Sequence, residues 1–261
     1  MIRRLFSRQP RAARRARVPD GLRVYAIGDV HGRADLLQRL LARVREDGEG
    51  SAAGTEKVIV TLGDYIDRGF DSRVVIDILL DEPLGGFEAV HLKGNHEDCL
   101  LRFLDDVSIG PDWFAIGGDA TAMSYGVRIP KGLTMTERFD HVHAELRAKI
   151  PARHLEFLGR LELMHQAGDY VFVHAGIRPG VPLEQQEPDD LMWIRDEFLN
   201  SPDTQGKVIV HGHSITETAR PEIHDHRIGI DTGAYATNVL TCIVLEGSDR
   251  RFISTEPGRL S

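Results

Sequence analysis

The sequence has few cysteines and no long apolar run. Its 261 residues include two cysteines, Cys99 and Cys242, and both lie in apolar segments. Two thiols cannot form the disulfide framework that holds small secreted domains together, so we expect buried free thiols in a reducing cytoplasm. No stretch approaches the roughly 18 apolar residues of a membrane span, so we expect no transmembrane segment. With 41% hydrophobic and 28% charged residues, the composition is that of a globular protein with a substantial core.

Acidic residues are absent from the first 19 positions, which carry seven arginines. The rest of the chain holds 25 basic and 40 acidic residues, so its charge is near −15, although the whole chain carries −8. Because an acidic body repels nucleic-acid phosphates, we expect no nucleic-acid partner. The basic segment lacks the apolar centre of a secretory signal. Two interpretations remain, a solvated, disordered tail or a weak contact with a membrane surface.

Two common signatures of enzyme sites are also missing. No Gly-x-Ser-x-Gly segment supplies a serine nucleophile, and no Gly-x-x-x-x-Gly-Lys-[Ser/Thr] segment supplies a phosphate-binding loop. Carboxylate, imidazole and amide groups, which bind divalent metal ions or contact phosphate, are concentrated instead in short motifs. The five motifs are Gly28–Gly32, Gly63–Gly69, Gly94–Glu97, His174–Gly176 and Gly212–His213.

The first half of the chain alternates predicted strands and helices, and the strands lead into the first three motifs. This order predicts a layered α/β fold with parallel pairing, in which ligands bind beyond the carboxyl ends of the strands. The predicted strands are Leu22–Ile27, Val58–Leu62 and Ala89–Leu92, and the predicted helices are Ala34–Val44, Ser72–Leu80 and Glu97–Leu104.

The second half is predicted to be helical first and rich in strands later. Residues 107–168 read as helical or irregular with little chemistry, and residues 189–199 read as one short helix. We expect one catalytic domain over residues 21–250, with tails at 1–20 and 251–261. The predicted strands of this half are Tyr170–Val173, Val208–Val210, Ile228–Ile230 and Val239–Leu245.

Polar side chains at the first three strand ends suit metal binding and proton transfer. Asp29 and His31 are two residues apart in an extended segment, so they face the same side and can hold one ion. Asp64 ends the second strand at the equivalent place, where a carboxylate can bridge two ions. Asn95 offers a neutral oxygen, and His96 beside it is free for proton transfer. Turn or capping chemistry explains any one cluster alone, but three at consecutive strand ends favour a shared site.

These motifs carry a family resemblance. Gly-Asp-Val-His-Gly, Gly-Asp-Tyr-Ile-Asp-Arg-Gly and Gly-Asn-His-Glu resemble the motifs of the phosphoprotein phosphatase family of calcineurin-like metallophosphoesterases, over roughly residues 22–247. The resemblance implies mixed β-sheets in a sandwich flanked by helices. It also implies two divalent metal ions, manganese first and iron or zinc as alternatives. The implied ligands are Asp29, His31 and Asp64 for the first ion, and Asp64, Asn95, His174 and His213 for the second.

The resemblance assigns four further residues. His96 is the implied general acid, oriented by Asp67, and Arg68 and Arg195 are the implied phosphate-binding residues. Arg195 is matched through Met-Trp-Ile-Arg, which is similar to a segment of the bacterial and phage-type branch. In His-Gly-His at 211–213 the family pattern selects the second histidine, and we interpret His211 as structural.

Departures from the eukaryotic pattern place the chain nearer the bacterial-type branch. Lys93 stands where eukaryotic members carry arginine, and His174 is followed by Ala-Gly rather than Gly-Gly. Residues 231–235 read Asp-Thr-Gly-Ala-Tyr where those members have Ser-Ala-Pro-Asn-Tyr. Eukaryotic regulatory subunits are therefore not expected.

Three functions fit the motifs. The leading expectation is a phosphomonoesterase acting on phosphoserine and phosphothreonine in a phosphoprotein or phosphopeptide. The alternative is hydrolysis of dinucleoside polyphosphates such as diadenosine tetraphosphate. The related hydrolases usually carry Asn-His-Asp where this chain has Glu97, and they alter the Asp67–Arg68 pair. A non-catalytic scaffold is disfavoured, because every ligand position and His96 are present.

Overall fold

The computed structural model describes residues 15–81 and 84–256. Within these ranges two five-stranded sheets pack face to face, and helices cover their outer faces. The strands are β1 (Leu22–Ile27), β2 (Glu56–Thr61), β3 (Glu88–His91), β4 (Met164–Ala167), β5 (Tyr170–Val173), β6 (Val208–His211), β7 (Glu222–Ile223), β8 (Arg227–Gly229), β9 (Thr241–Glu246) and β10 (Asp249–Ser254). The helices are α1 (Ala34–Glu49), α2 (Ser72–Asp81), α3 (Asn95–Asp105), α4 (Gly110–Ala115), α5 (Gly118–Ser124), α6 (Met135–Lys149), α7 (Ala152–Gly159), α8 (Pro188–Trp193), α9 (Asp196–Leu199) and α10 (Ala234–Thr237).

Each sheet has a parallel centre. The first sheet has the order β10-β9-β1-β2-β3, in which β1, β2 and β3 are parallel and β9 is antiparallel to β1. The second has the order β4-β5-β6-β8-β7, in which β5, β6 and β8 are parallel. The predicted α/β sandwich of mixed sheets is confirmed. Polar loops can meet at the carboxyl ends of its parallel strands.

Alternation along the strands fills separate layers of the core. Val24 and Ala26 of β1 face the second sheet, where they pack in one cluster with Phe172. Tyr25, between them in sequence, faces the other way and packs with Leu37 of α1. Successive side chains of a strand point to opposite faces of the sheet, so a strand buried on both faces is apolar at every position. The inward-facing residues pack the first sheet against the second.

The structure differs from the predicted elements in several places. Strands β4 and β7 and the short helix α10 were not predicted, and α1 continues past its predicted end at Val44 to Glu49. The predicted helix over 189–199 is two short helices, α8 and α9, and Arg195 lies in the break between them with φ −131° and ψ −104°. The last strand, β10, was also not predicted; it pairs with β9 along its whole length and so continues past residue 250.

The predicted tails are partly described. Val18, inside the predicted N-terminal tail, is fully buried between the sheets, and its N–H donates to the carbonyl of Gly247. Residues 1–14 and 257–261 lie outside the described residues, so disorder or membrane contact of the basic segment stays a prediction. In the described ranges no helix is both long and apolar enough to cross a membrane. Cys99 and Cys242 are buried free thiols, as expected.

Candidate active site

The loops that follow the parallel strands of both sheets meet in one buried site. Asp29 follows β1, Asp64 follows β2 and Asn95 begins α3 after β3; His174 follows β5 and His213 follows β6. All five side chains are at least nine-tenths buried, as is His31. The structure thus brings the six predicted ligand residues to one edge of the sandwich, where helices and strands hold them from several directions.

Two of the motif glycines allow this close approach. A Cβ atom on Gly94 would lie 2.1 Å from Oδ1 of Asp64, and one on Gly212 would lie 2.0 Å from Oδ1 of Asp29. Both distances are far below a van der Waals contact. Glycine is therefore required where the backbone of one loop packs on the carboxylate of another.

The first cluster of possible metal ligands centres on Oδ2 of Asp64. The Nδ1 of His31 donates to the carbonyl of Ile66 at 2.9 Å, so its Nε2 carries the lone pair. That Nε2 lies 3.5 Å from Asp64 Oδ2 and has no hydrogen-bond partner among the described residues. A buried lone pair facing a carboxylate oxygen fits a cation between them.

The second cluster uses the other oxygen of Asp64. The Nδ1 of His174 donates to the carbonyl of Leu62 at 2.8 Å, so its Nε2 also carries a lone pair. This Nε2 lies 3.0 Å from Asn95 Oδ1, 3.2 Å from His213 Nδ1 and 3.4 Å from Asp64 Oδ1. Acceptors packed this closely repel one another without a cation, so these residues also fit a metal ion, and Asp64 belongs to both clusters.

Burial keeps the imidazoles neutral. It lowers the pKa of His31 well below its usual value, lowers that of His174, and lowers that of His213 to about 2. Burial alone would raise the pKa of Asp64, but the surrounding imidazoles, His174 first, lower it below its usual range. Neutral imidazoles and an ionised carboxylate are the states that bind a divalent ion.

Asp29 belongs to the site but stands apart from both clusters. Its carboxylate accepts the N–H of His213, at 3.0 Å to Oδ2 and 3.2 Å to Oδ1. Its oxygens are not among the ligand atoms that lie within 4.8 Å of one another in the described residues. Burial, followed by repulsion from Asp231 and Asp64, raises the pKa of Asp29 well above its usual value. A buried carboxylate this close to Asp64 and Asp231 fits a bound cation.

Asp231 is a buried acid in the segment 231–235, which was not among the predicted site residues. It follows β8, another of the parallel strand ends, and is 1% exposed. Its Oδ1 accepts the N–H of Gly233 at 2.9 Å, whereas its Oδ2 has no partner in the described part of the chain. Burial is the main cause that raises its pKa to about 6. With Asp29 and Asp64 it forms a surplus of buried carboxylates, which also fits cations.

His96 lies in the first cluster with His31 and Asp64, and it forms a buried pair with Asp67. The Nδ1 of His96 lies 2.7 Å from Asp67 Oδ2, and its Nε2 lies 3.6 Å from Asp64 Oδ2. Burial opposes the charge on His96, but Asp64 and then Asp67 raise its pKa above the usual value. The ring is therefore suited to carry a proton on Nε2 and to deliver it to a neighbouring group.

The helical segment 107–168 contributes to this pair, although its sequence indicated little chemistry. Trp113 Nε1 donates to Asp67 Oδ2 at 3.0 Å, and the hydroxyl of Thr121 donates to Asp67 Oδ1 at 2.6 Å. Both side chains are fully buried. They fix the carboxylate of Asp67, which in turn orients the ring of His96. Only the tertiary packing of α4 and α5 reveals this role.

Glu97, the last residue of the third motif, joins two of the loops through its carboxylate. Its two oxygens accept four backbone N–H groups, and the side chain is fully buried. This arrangement fixes the turn after β2 against the start of α3, and so sets the distance between Asp64 and His96. The donors are Asp64 (2.9 Å), Tyr65 (2.8 Å), Ile66 (3.3 Å) and Gly94 (3.0 Å).

The two predicted phosphate-binding arginines flank the clusters. Arg68 Nη2 lies 3.4 Å from Nε2 of His96. Arg195 is exposed, and its Nη1 lies 3.4 Å from both the carbonyl of His213 and the hydroxyl of Ser214. One guanidinium thus stands beside each cluster, a placement suited to the oxygens of one or more phosphates. His211 lies in neither cluster; its ring packs on Phe198.

Backbone strain is concentrated in the motifs. Among the described residues, eight that are not glycine have a left-handed φ, and five of these belong to the site. Such conformations cost of order 1 kcal/mol or more each and persist only where the surrounding structure enforces them. The five are His31 (45°), Asp64 (52°), Asp67 (70°), Arg68 (66°) and His213 (60°).

Several known proteins are similar to this chain in sequence or in fold. The chain is 27% identical over 244 residues to the asymmetrical bis(5′-nucleosyl)-tetraphosphatase of Oceanobacillus iheyensis, a match that covers 84% of this chain and 87% of that protein. It is 24% identical over 181 residues to Shewanella-like protein phosphatase 2 of Arabidopsis thaliana, covering 59% of this chain and 46% of the plant protein. A crystal structure of a candidate diadenosine tetraphosphatase, 22% identical, has the same fold with a TM-score of 0.59 over 90% of this chain and 95% of the other.

The family itself is shown by a match to a family profile. The family profile described as calcineurin-like phosphoesterase matches residues 22–231, which include every motif discussed above. The match confirms the resemblance read from the motifs, and the two-sheet sandwich agrees with it. The chain is therefore a metallophosphoesterase and belongs to the calcineurin-like phosphoesterase family.

Proposed function

We propose that the chain hydrolyses dinucleoside polyphosphates, with bis-nucleosyl tetraphosphates as the substrate class. The observation that supports this proposal is the nearly end-to-end match with a tetraphosphatase, over 84% of this chain and 87% of the relative. The protein phosphatase match covers only 59% of this chain. The relatives therefore favour the function that the motifs alone placed second.

Two divalent ions, manganese before iron or zinc, are proposed as the cofactor. Asp29, His31 and Asp64 would hold the first ion, and Asp64, Asn95, His174 and His213 the second. The unpartnered Nε2 of His31 and the close acceptors around His174 support this assignment, as does a donor set of nitrogen and oxygen without sulfur. When bound, such ions activate water and stabilise the charge on phosphoryl oxygens.

His96 is proposed as the general acid. Its Nδ1 is occupied by Asp67, so Nε2 is the atom that can protonate the oxygen of the leaving phosphate. Trp113 and Thr121 hold Asp67 in turn, and thereby the ring orientation. The rate contribution of such a positioned acid is typically about 10²–10⁴-fold.

Arg68 and Arg195 are proposed to bind phosphate. They stand at opposite clusters, one next to His96 and one next to His213. A polyphosphate chain presents several anionic groups in a row, so it can engage both guanidinium groups at once. A phosphomonoester has a single phosphate to share between them.

Hydrolysis of phosphoserine and phosphothreonine in proteins remains the second candidate. The Asp67–Arg68 pair favours it, because the related tetraphosphate hydrolases alter that pair. The similarity to a plant protein phosphatase points the same way. Both candidates use the same metal centre and the same general acid, and they differ in the leaving group.

The test is a direct comparison of substrates. The purified, manganese-loaded chain is assayed with diadenosine tetraphosphate and with phosphoserine and phosphothreonine peptides, and the nucleotide products are resolved by anion exchange. We expect kcat/KM to be at least about tenfold higher on the dinucleotide, with AMP and ATP as products. The reverse ranking would support the second candidate. The His96→Asn variant, purified identically, controls for contaminating phosphatases.

A further inference from the structure

Exposed aromatic rings are concentrated around the site. Among the described residues, the aromatic side chains that are more than a third exposed are Phe70 (71%), Trp193 (38%) and Tyr235 (38%). Phe70 follows the second motif, Trp193 stands two residues before Arg195, and Tyr235 stands four residues after Asp231. The other described phenylalanine, tyrosine and tryptophan residues are buried or half-buried. An aromatic ring that is exposed to water lacks the stabilisation that its burial would give. Exposed rings close to one site therefore indicate a ligand that covers them.

Two of these rings touch the two metal-ligand clusters. Trp193 meets the ring of His213 edge-on, with centroids 6.3 Å apart. Tyr235 meets the ring of His31 edge-on at 5.5 Å. His213 and His31 lie in different clusters that share Asp64, so each aromatic ring contacts a different cluster.

One of these rings contacts an arginine of the site, and the other lies two residues from one in sequence. The guanidinium of Arg68 lies over the Tyr235 ring, 4.7 Å from its centroid. Arg195 follows Trp193 by two residues, at the break between α8 and α9. A flat aromatic surface beside a cation is the combination that binds a nucleoside phosphate, because the base stacks while the phosphate meets the charge.

We propose that Trp193 and Tyr235 are nucleobase platforms, one for each base of a dinucleoside polyphosphate whose phosphates lie between Arg195 and Arg68. The proposal rests on the proposed function and adds the residues that recognise the two ends of the substrate. Stacking needs only the flat face of a base, so the platforms accept any of the common bases. A peptide substrate has no flat group at fixed distances on both sides of its phosphate.

Tryptophan fluorescence tests the first platform directly. The chain has two tryptophans, and Trp113 is fully buried, so Trp193 is the ring that a ligand can quench. We expect AMP to quench the emission of the manganese-loaded protein in a saturable way, and inorganic phosphate at the same concentration to have no such effect. The Trp193→Phe variant should lose the response to AMP. Equal quenching by phosphate, or quenching retained in Trp193→Phe, would overturn the platform.

Kinetics test both platforms. Trp193→Ala and Tyr235→Ala should each raise KM for diadenosine tetraphosphate by on the order of tenfold, the value of one stacked base. Trp193→Phe and Tyr235→Phe, which keep a ring, should restore most of the affinity. Ile223→Ala is the matched control, since Ile223 is an equally exposed apolar residue (45%) on β7, outside the motifs.

The outcomes separate the two proposals. If the wild-type chain does not cleave diadenosine tetraphosphate, the proposed function fails, whatever AMP does to the fluorescence. If it cleaves the dinucleotide and neither alanine variant raises KM, the function stands and the platforms are wrong. If the alanine variants raise KM equally for a phosphopeptide, the rings serve any apolar group, which also overturns the assignment to bases.

Discussion

The Nδ1 atom of His96 lies 2.7 Å from Oδ2 of Asp67, and both side chains are almost completely buried. This contact leaves Nε2 of His96 as the nitrogen that faces the site, 3.6 Å from Asp64. This placement agrees with the proposed role of His96 as general acid, and the side chain also lies in one candidate metal cluster with His31 and Asp64. Replacements of His96 and of Asp67 separate a proton-donor role of His96 from a metal-ligand role.

Replacing His96 with asparagine should abolish most of the turnover and leave the metal content unchanged. The variant removes the proton donor, and we expect kcat to fall by about 100-fold or more. Steady-state kinetics together with elemental analysis of the purified variant test this. Loss of a metal ion along with activity would show that His96 is a ligand instead, since its Nε2 is close enough to His31 and Asp64 to share an ion.

Replacing Asp67 with asparagine should move the alkaline limb of the pH profile. The Asp67 carboxylate helps to raise the pKa of His96 against the opposing effect of burial. Without it the pKa falls, so the protonated form that donates is lost at a lower pH, and kcat/KM declines from a lower pH than in the wild type. Asp98 lies on α3, as His96 does, but pairs with exposed Arg102. Asp98→Asn should therefore leave the alkaline limb of the pH profile in place. An unmoved limb in Asp67→Asn would contradict the pair.

Metal stoichiometry should distinguish the ligands from their neighbours. Asp64 lies in both clusters, so Asp64→Asn should lose both ions; His213 lies in one, so His213→Gln should lose the second ion only. His211 packs on Phe198 and lies in neither cluster, so His211→Asn should keep both ions per folded chain. Elemental analysis after gel filtration measures this. Full occupancy in Asp64→Asn would rule out its bridging role.

Replacing Glu97 with glutamine should destabilise the fold as well as the site. The amide keeps one acceptor oxygen and turns an NH₂ group toward backbone donors, so buried N–H groups lose their acceptor at about 1–3 kcal/mol each. Denaturant unfolding should show this loss in free energy of unfolding. Glu137→Gln, at the exposed capping box of α6, is the matched control and should cost much less than Glu97→Gln. Equal effects at both positions would refute the special role of Glu97.

Removing the metal should lower the melting temperature. Chelation leaves Asp29, Asp64 and Asp231 buried without their counter-charge. A ligand present at 100 times its Kd contributes about 2.7 kcal/mol, which for a chain of this size is a shift of about 5–10 °C. Differential scanning calorimetry before and after chelation measures the shift, and manganese should reverse it. Asp64→Asn should be insensitive to the chelator; an identical shift in that variant would mean that the chelator acts elsewhere.

The sequence predicted the parts of the fold that repeat locally. Leu22–Ile27 and Tyr170–Val173 were predicted with their observed limits, because a buried strand bounded by polar loops is visible in the chain itself. Strand β10 was missed because its first residues are charged and exposed, which hides the inward packing of Phe252. The break at Arg195 was missed because no glycine or proline marks it.

The site was predictable wherever a residue acts from its own strand end. Asp64 was recognised because it follows an apolar run. His174 also follows one, but its ligand role was predicted through the family resemblance. Glu97, Trp113 and Asp231 were not recognised, because their roles depend on which loops pack together after folding. Glu97 binds backbone groups around Asp64, and Trp113 comes from a distant helix to hold Asp67. A single sequence carries no local signal of such contacts.

The left-handed backbone at Arg68 has a consequence for protein engineering. Glycine adopts this conformation without strain, so exchange of Arg68 for glycine would relieve local strain while it deletes a guanidinium group that is proposed to bind phosphate. Selection for heat resistance alone would therefore reward a variant that is impaired in substrate binding. A library aimed at a more robust enzyme should hold this codon fixed and vary the outer helices instead.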